Sequence, residues 1–350
     1  MTLNRIFQAA SFALIVLAGT ASASCKSSNE LGDFVTPPAK DTTQTEQTGY
    51  YTNPVIDWDT PDPTVIKVDN TFYLLATERN HETPVWTSQD LVNWTLQPKG
   101  AFQTRPSFVQ DGGVWAPDVN KIGDKYVLYY AMSVWGGEWT CGIGVAVADR
   151  PEGPYVDQGG LFVSNEIGVQ NCIDPFFIRD NGKNYLFWGS FHGIYGTELT
   201  DDGLQLKDKK NLIQIADNAI EGTYIHYRDG YYYLFGSKGT CCEGDNSTYH
   251  VAVGRSQSLF GPYVDKQGRS VLDGFYEDIL VGNDRFVGPG HNAEIVTDNA
   301  GQDWMLYHSY QRGRSAEGRK VMLDPVVWTD GWPSFAGGSP SHWTKVPDFK

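Results

Sequence analysis

The feature that most constrains how this chain folds is a weak repeat that recurs five times between about Asn53 and Pro333. Each unit pairs a short apolar segment with a turn and then an aromatic-rich segment. The aromatic segments are YLLAT from Tyr73, YVLYY from Tyr126, YLFWG from Tyr185, YLFGS from Tyr233 and WMLYH from Trp304. Just before them stand Asp69-Asn70, Gly123-Asp124, Asn181-Gly182, Asp229-Gly230 and Asn299-Ala300-Gly301. Such residues tolerate the positive φ of hairpin turns, so each unit opens as a β-hairpin. Segments such as VWTSQD from Val85, GIGVAVAD from Gly142, YHVAVGRS from Tyr249 and VMLDPVVW from Val321 supply further strands. Five units of about four strands each predict an all-β chain folded as a five-bladed β-propeller. A β-sandwich whose strands resemble one another by accident is the competing architecture.

A propeller lines its central channel with the first strand of every blade. Equivalent residues of the five units therefore converge on the axis. Eleven residues before Tyr73, Tyr126 and Tyr185 stand Asp62, Trp115 and Asp174; twelve before Tyr233 stands Glu221; thirteen before Trp304, across a longer turn, stands His291. Three carboxylates, an indole and an imidazole are thus expected at one end of the channel. Two carboxyl groups flanking a glycosidic bond are the minimum for its hydrolysis. One, protonated, releases the leaving oxygen; the other, ionised, activates water or attacks directly. A third carboxylate nearby raises the pKa of the acid, because like charges disfavour ionisation. Trp115 is expected to stack on a sugar face, and His192, just after an aromatic strand, to reach the rim of the cleft. Asp118 falls outside the axial register and reads as a structural tie at a strand start. His81, His226, His250 and His308 follow no ligand pattern.

Charge and termini narrow the setting. With 27 Lys and Arg against 42 Asp and Glu, the formal charge is −15, which excludes a nucleic-acid partner that would need basic clusters. Residues 1–25 read as a signal peptide: Arg5, an apolar run from Phe12 to Leu17, the small residues ASAS, then Cys25. ASASC resembles a lipobox with Cys25 as the lipidated residue, although Ser22 stands where a larger apolar residue is usual. An exported lipoprotein is expected, at the periplasm or outer-membrane surface, touching the membrane only through that anchor. Residues 26–50 are polar and unpatterned and read as a flexible tether, leaving 51–350 as the propeller, expected to work as a monomer. Cys141, Cys172, Cys241 and Cys242 have no zinc-site spacing. The adjacent Cys241 and Cys242 fit either a local disulfide or two packed thiols.

At the axial residues the sequence resembles glycoside hydrolase family 43, and within it the α-L-arabinanases. The likeness rests on PDPTVIKVDNTFYLLATE from Pro61, GVWAPDV from Gly113, CIDPFFIRDNGKNYLFWGSF from Cys172, EGTYIHYRDGYYYLFGSKGTCC from Glu221 and GPGHNAEIV from Gly288. The segments CCEGDNSTYHVAVGRS, GPYVDK and RFVGPGHN look particularly like arabinanases. The resemblance implies an inverting hydrolase of plant cell-wall arabinan. Asp62 would be the general base, Glu221 the general acid and Asp174 the group that raises the pKa of Glu221. It also implies a calcium ion faced by His291, chiefly through waters. In inverting enzymes base and acid lie about 6.5–9.5 Å apart. One departure bears on the mode of attack. Endo-acting members tend to carry His before the first catalytic Asp, where this chain has Pro61, as exo-acting members do. An exo-α-L-arabinofuranosidase or β-xylosidase on arabinoxylan, and a glycan-binding propeller without turnover, are the other readings. The loops 135–140 and 238–248 are expected to shape the cleft.

Overall fold

The computed structural model describes residues 49–349. The signal peptide, the lipobox and nearly all of the tether lie outside the described residues. The first strand, β1 (Tyr50–Thr52), opens at the last tether position. Five antiparallel sheets follow in chain order. The first contains β2 (Thr64–Val68), β3 (Thr71–Leu75), β4 (Val85–Ser88) and β5 (Thr95–Leu96). The second contains β6 (Gly113–Ile122), β7 (Lys125–Ser133), β8 (Gly142–Ala148) and β9 (Val156–Val163). The third contains β10 (Phe176–Asp180), β11 (Lys183–Trp188), β12 (Ile194–Glu198) and β13 (Ile213–Ala216). The fourth contains β14 (Glu221–Arg228), β15 (Tyr231–Lys238), β16 (His250–Ser256) and β17 (Glu277–Leu280). In each, neighbours in sequence are neighbours in the sheet, which is the up-and-down blade of a propeller. The five-bladed propeller expected from the repeat is the fold.

The fifth blade departs from the pattern. Its inner strand is split into β18 (Phe286–Gly290) and β19 (Ile295–Thr297), and both pieces pair with β20 (Asp303–Gln311). β21 (Lys320–Thr329) and β22 (Trp332–Ser334) complete it. The break falls at His291–Glu294. The repeat reading found the second piece and missed the first, because FVGPG carries no alternating pattern.

The core lies between the blades. On β7, Tyr126, Leu128, Tyr130 and Met132 pack with Leu75 and Val85 of the first blade. The alternating Val127, Tyr129 and Ala131 pack with Phe177, Leu186 and Trp188 of the third. A strand buried on both faces must be apolar throughout, which is why the second strand of each unit reads as an unbroken aromatic run. Each such side chain stabilises the fold by roughly 1.5–3 kcal/mol through burial.

The ring closes where the chain ends meet. β1 pairs with β23 (Trp343–Lys345), and Tyr50 stacks on Trp343 with ring centroids 4.6 Å apart. Behind this ribbon, Asn53 Oδ1 accepts from Leu323 N at 2.9 Å while Tyr51 Oη donates to Leu323 O at 2.6 Å. The first and last blades share a further core around Phe72, Leu74, Trp304 and Leu306. Among the described residues no helix is long and apolar enough to cross a membrane.

Candidate active site

Antiparallel pairing puts the start of each first strand beside the end of each second strand. One end of the propeller therefore carries five strand starts and five hairpin loops: 76–84, 134–141, 189–193, 239–249 and 312–319. At that end the inner-strand segment of every blade carries a residue with left-handed backbone at an equivalent place: Asp62 (φ 56), Ala116 (φ 42), Asp174 (φ 56), Gly222 (φ 63) and His291 (φ 46). The residue before it keeps the pairing. Thr77 N bonds Pro61 O and Gly189 N bonds Ile173 O, while Trp115 pairs with Ala131, Glu221 with Ser237 and Gly290 with His308. In the second and fourth blades a register shift follows directly, and in the fifth one lies just ahead, between Val287 and Gly290; such shifts mark β-bulges that re-aim side chains.

This corrects the axial alignment. Asp62, Asp174 and His291 share the left-handed position, whereas Trp115 and Glu221 sit one residue earlier. Counting from the turns slipped by one in two blades because the inserted bulge residue is invisible to a strand-length count. The five side chains lie at the same end of the channel, in two adjacent tiers.

Asp62 is nearly enclosed. Its Oδ2 accepts from Thr77 Oγ1 at 2.6 Å, and its Oδ1 accepts from Arg319 Nη1 at 3.0 Å. His308 Nδ1 and His291 Nδ1 lie 3.2 and 3.4 Å from Oδ1. Burial pushes this carboxyl up, but Arg319 and the imidazole contacts outweigh it and hold Asp62 well below the usual carboxylate range. Burial drives His308 down to about 4 and lowers His291 as well. Both rings are therefore neutral near pH 7, and Arg319 is the charge that pairs with Asp62.

Arg319 is set in place by the segment leading to Asp62. Its N–H donates to Asp59 Oδ1 at 2.8 Å, and Thr60 N donates to its carbonyl at 2.8 Å. Gly318 makes this possible. Its φ is +87, and a Cβ there would lie 2.1 Å from Asp59 Oδ1.

Asp174 and Glu221 have a different environment. Asp174 Oδ2 accepts from Gly222 N at 3.0 Å. Glu221 Oε2 accepts from Ser190 Oγ at 2.6 Å and its Oε1 from Tyr249 Oη at 2.8 Å. Burial raises both carboxyls; the negative charges of Glu221 and Asp62 raise Asp174 further, to well above the usual range. The pair thus retains a proton where Asp62 does not. Two carboxyls pushed up and one held down is the division of labour that acid–base chemistry requires.

The remaining residues frame this centre. Trp115 is half-buried against the core shared by the second and third blades. His192 lies at the rim, its Nε2 3.3 Å from Glu138 Oε2. Glu138 belongs to the 134–141 loop, which also carries Trp135 and Trp139, 80% and 49% exposed. Cys241 and Cys242 are free thiols on the fourth-blade loop, and Arg319 contributes to the electrostatics of both. Asp118 ties blades together, accepting from Phe177 N at 2.6 Å, as expected of a structural residue.

The sequence reading missed Thr77, Ser190, Tyr249, His308 and Arg319. His308 stands at the pairing position otherwise held by Thr77, Ala131, Gly189 and Ser237, so no residue type repeats there to flag it.

Residues 51–333 match the family model described as glycosyl hydrolases family 43. The chain is 37% identical over 290 residues to the extracellular endo-α-(1→5)-L-arabinanase 1 of Bacillus subtilis, covering 78% of this chain and 87% of that protein. It is 33% identical over 304 residues to the extracellular exo-α-(1→5)-L-arabinofuranosidase ArbA of Cellvibrio japonicus, covering 79% and 86%. The solved α-L-arabinanase of Cellvibrio cellulosa in complex with arabinohexaose superposes with a TM-score of 0.73 at 31% identity, covering 80% of this chain and 96% of that one.

Proposed function

The chain belongs to the glycosyl hydrolases of family 43 and is a glycoside hydrolase; from that premise we propose that it cleaves the α-1,5-L-arabinofuranosidic bonds of arabinan with inversion. Asp62 is the general base, Glu221 the general acid, and Asp174 the neighbour that keeps a proton available to Glu221. The observation that carries this reading is the electrostatic split. Asp62 accepts directly from a guanidinium and stays ionised, while Glu221 accepts from two hydroxyls and lies beside a second raised carboxyl.

The reaction then runs as follows. Asp62 takes a proton from a water as that oxygen bonds to the anomeric carbon. The bond to the leaving sugar breaks, its electron pair stays on the glycosidic oxygen, and Glu221 protonates that oxygen. Arg319 holds Asp62 in its proton-accepting form, and Thr77 fixes the carboxylate plane. Trp115 and His192 are assigned to the substrate.

Calcium prefers six to eight oxygen ligands. Among the described residues no three His, Cys, Asp or Glu side chains gather into a metal site. The donors present fit an ion held mainly through waters. His308 is fully buried and its Nδ1 accepts the Asp62 backbone N–H at 3.1 Å, so the neutral ring carries its proton on Nε2 and does not offer that atom as a ligand. A ring that donates Nδ1–H to a carboxylate presents Nε2 as a ligand atom. His291, whose Nδ1 lies 3.4 Å from Asp62 Oδ1, would face the ion, with the His308 ring beside it at 6.1 Å between centroids. Such an ion supplies positive charge that favours ionised Asp62.

Incubation with linear and branched arabinan tests the reading. Release of arabinose or arabino-oligosaccharides supports it, and no release refutes it. Glu221→Gln, Asp62→Asn and Asp174→Asn are each expected to lose most activity while remaining folded. Full activity in any one removes that residue from the mechanism. Exo-action is the second reading, favoured by Pro61 and by the likeness to an exo-acting relative. Arabinose alone from the first time point supports exo-action, and a ladder of oligomers supports endo-action. Export accords with relatives named extracellular. The Cys25 anchor and the monomeric state are tested by fatty-acid labelling and by light scattering.

A further inference from the structure

Resting on the assignment of Glu221 as general acid, we infer that its acidic proton resides on Oε1, facing Tyr249, while Asn171 and Ser190 hold Oε2 as a permanent hydrogen-bond acceptor. Asn171 Nδ2 lies 2.9 Å from Ser190 Oγ and 3.2 Å from the Ser190 carbonyl oxygen. A backbone carbonyl only accepts, so the group facing Ser190 is the amide NH2. Ser190 Oγ therefore accepts from Asn171.

A serine hydroxyl has one proton to give. With Asn171 behind it, that proton goes to Glu221 Oε2, 2.6 Å away. Ser190 is 1% exposed, so no bulk water competes. An acidic proton on Oε2 would face the Ser190 proton. A protonated oxygen is also the weaker acceptor, so the Ser190 bond favours the proton on Oε1.

Tyr249 is built differently. Its ring is stacked on His308, with centroids 5.6 Å apart and planes inclined by 10°, which fixes the phenol in space. Among the described residues no second partner fixes its O–H, which points at Glu221 Oε1 at 2.8 Å. A phenol hydroxyl both donates and accepts. It donates to Oε1 when Glu221 is ionised and accepts from Oε1–H when Glu221 is protonated. During turnover the Oε1–H bond breaks as the proton passes to the departing glycosidic oxygen. The Tyr249 hydroxyl then turns to donate to the new carboxylate. The same hydroxyl device recurs at the base. Thr77 Oγ1 accepts from Ala116 N at 2.8 Å and donates to Asp62 Oδ2. There the second oxygen meets Arg319, so no reversal follows. Ser190, Asn171 and Tyr249 are positioning residues, each acting through Glu221.

The test is the pH dependence of kcat on arabino-oligosaccharides for Ser190→Ala, Ser190→Thr and Tyr249→Phe, with Glu221→Gln as control. Ser190 donates to Oε2 in both forms and more strongly to the charged carboxylate, so Ser190→Ala moves the alkaline limb to higher pH and Ser190→Thr restores it. Tyr249 bonds both forms, so Tyr249→Phe lowers kcat about tenfold, the effect of one lost hydrogen bond to a charged group, and moves that limb less than Ser190→Ala does. A second readout is the infrared C=O stretch of protonated Glu221, identified by its loss in Glu221→Gln. It rises in Ser190→Ala, where the carbonyl oxygen Oε2 loses its donor, and stays in place in Tyr249→Phe. An unmoved limb and an unmoved stretch in Ser190→Ala overturn the inference. So does a stretch that moves in Tyr249→Phe instead. Activity retained in Glu221→Gln overturns the general-acid assignment itself, which separates the two failures.

Discussion

Replacing Arg319 with Met removes the one cation that pairs with Asp62 and keeps most of the side-chain volume. The charges are 3.0 Å apart and nearly enclosed. At an effective dielectric constant of about 20, their attraction is roughly 5–6 kcal/mol. Removing one partner of a buried pair costs about 3–5 kcal/mol, because the other charge is left behind. Thr77 and the two imidazoles still contact Asp62, which places the expected loss near the lower end, about 3 kcal/mol. The sign with pH follows from linkage. A carboxyl held low in the folded state stabilises the fold above its unfolded pKa and loses that contribution as pH falls through its folded value. The stability gap between wild type and Arg319→Met is therefore widest at about pH 7 and narrows on acidification. The same substitution lets the Asp62 carboxyl rise, so the acidic limb of kcat/KM moves to higher pH. Urea unfolding across pH and a pH–rate profile on linear arabinan measure both effects. A gap that is constant with pH, together with an unmoved acidic limb, would refute an electrostatic role for Arg319.

Three further outcomes are expected. Asp118 and Glu294 are enclosed together and burial raises both, with Glu294 also pushing Asp118 up, so the pair favours low pH and loses stability as pH rises. Glu294→Gln should flatten that dependence and hold or raise the urea midpoint above neutrality, and a midpoint that falls further would contradict it. Trp135→Ala and Trp139→Ala should each raise KM for polymeric arabinan about 2- to 12-fold, the worth of one aromatic contact, and change turnover of short oligomers little; equal effects on both substrates would rule out a distal role. Chelation should lower kcat and readdition of calcium restore it, with His291→Ala insensitive to both, as read by activity and by calcium-dependent shifts in melting temperature.

The fold was legible because its signal is local and repeated. Turn pairs such as Asn181-Gly182 and aromatic runs such as YLFWG recur at spacings that only a blade explains. Asp62, Asp174, Glu221 and His291 were legible because the repeat carries them to one end. Their relative height was not, since a left-handed bulge residue changes strand length without changing composition. The supporting residues were hidden for another reason. Ser190, Tyr249 and Arg319 sit on or beside hairpin loops whose lengths differ from blade to blade, and nothing repeats there. Ser190 reads as a loop serine until Asn171 is seen behind it. His308 reads as the end of an aromatic strand until its Nδ1 is found at Asp62.

The closing ribbon has a mechanical consequence. Any pull on the chain ahead of Tyr50 meets β1 first. It is carried sideways into β23 through three residue pairs, Tyr50 with Lys345, Tyr51 with Thr344 and Thr52 with Trp343. Strands loaded along their length share force among all their hydrogen bonds. Behind them, Tyr51 and Asn53 pass the residue into Leu323 of the last blade. Force entering at the leading segment thus meets this seam before it reaches Asp62, about ten residues further on.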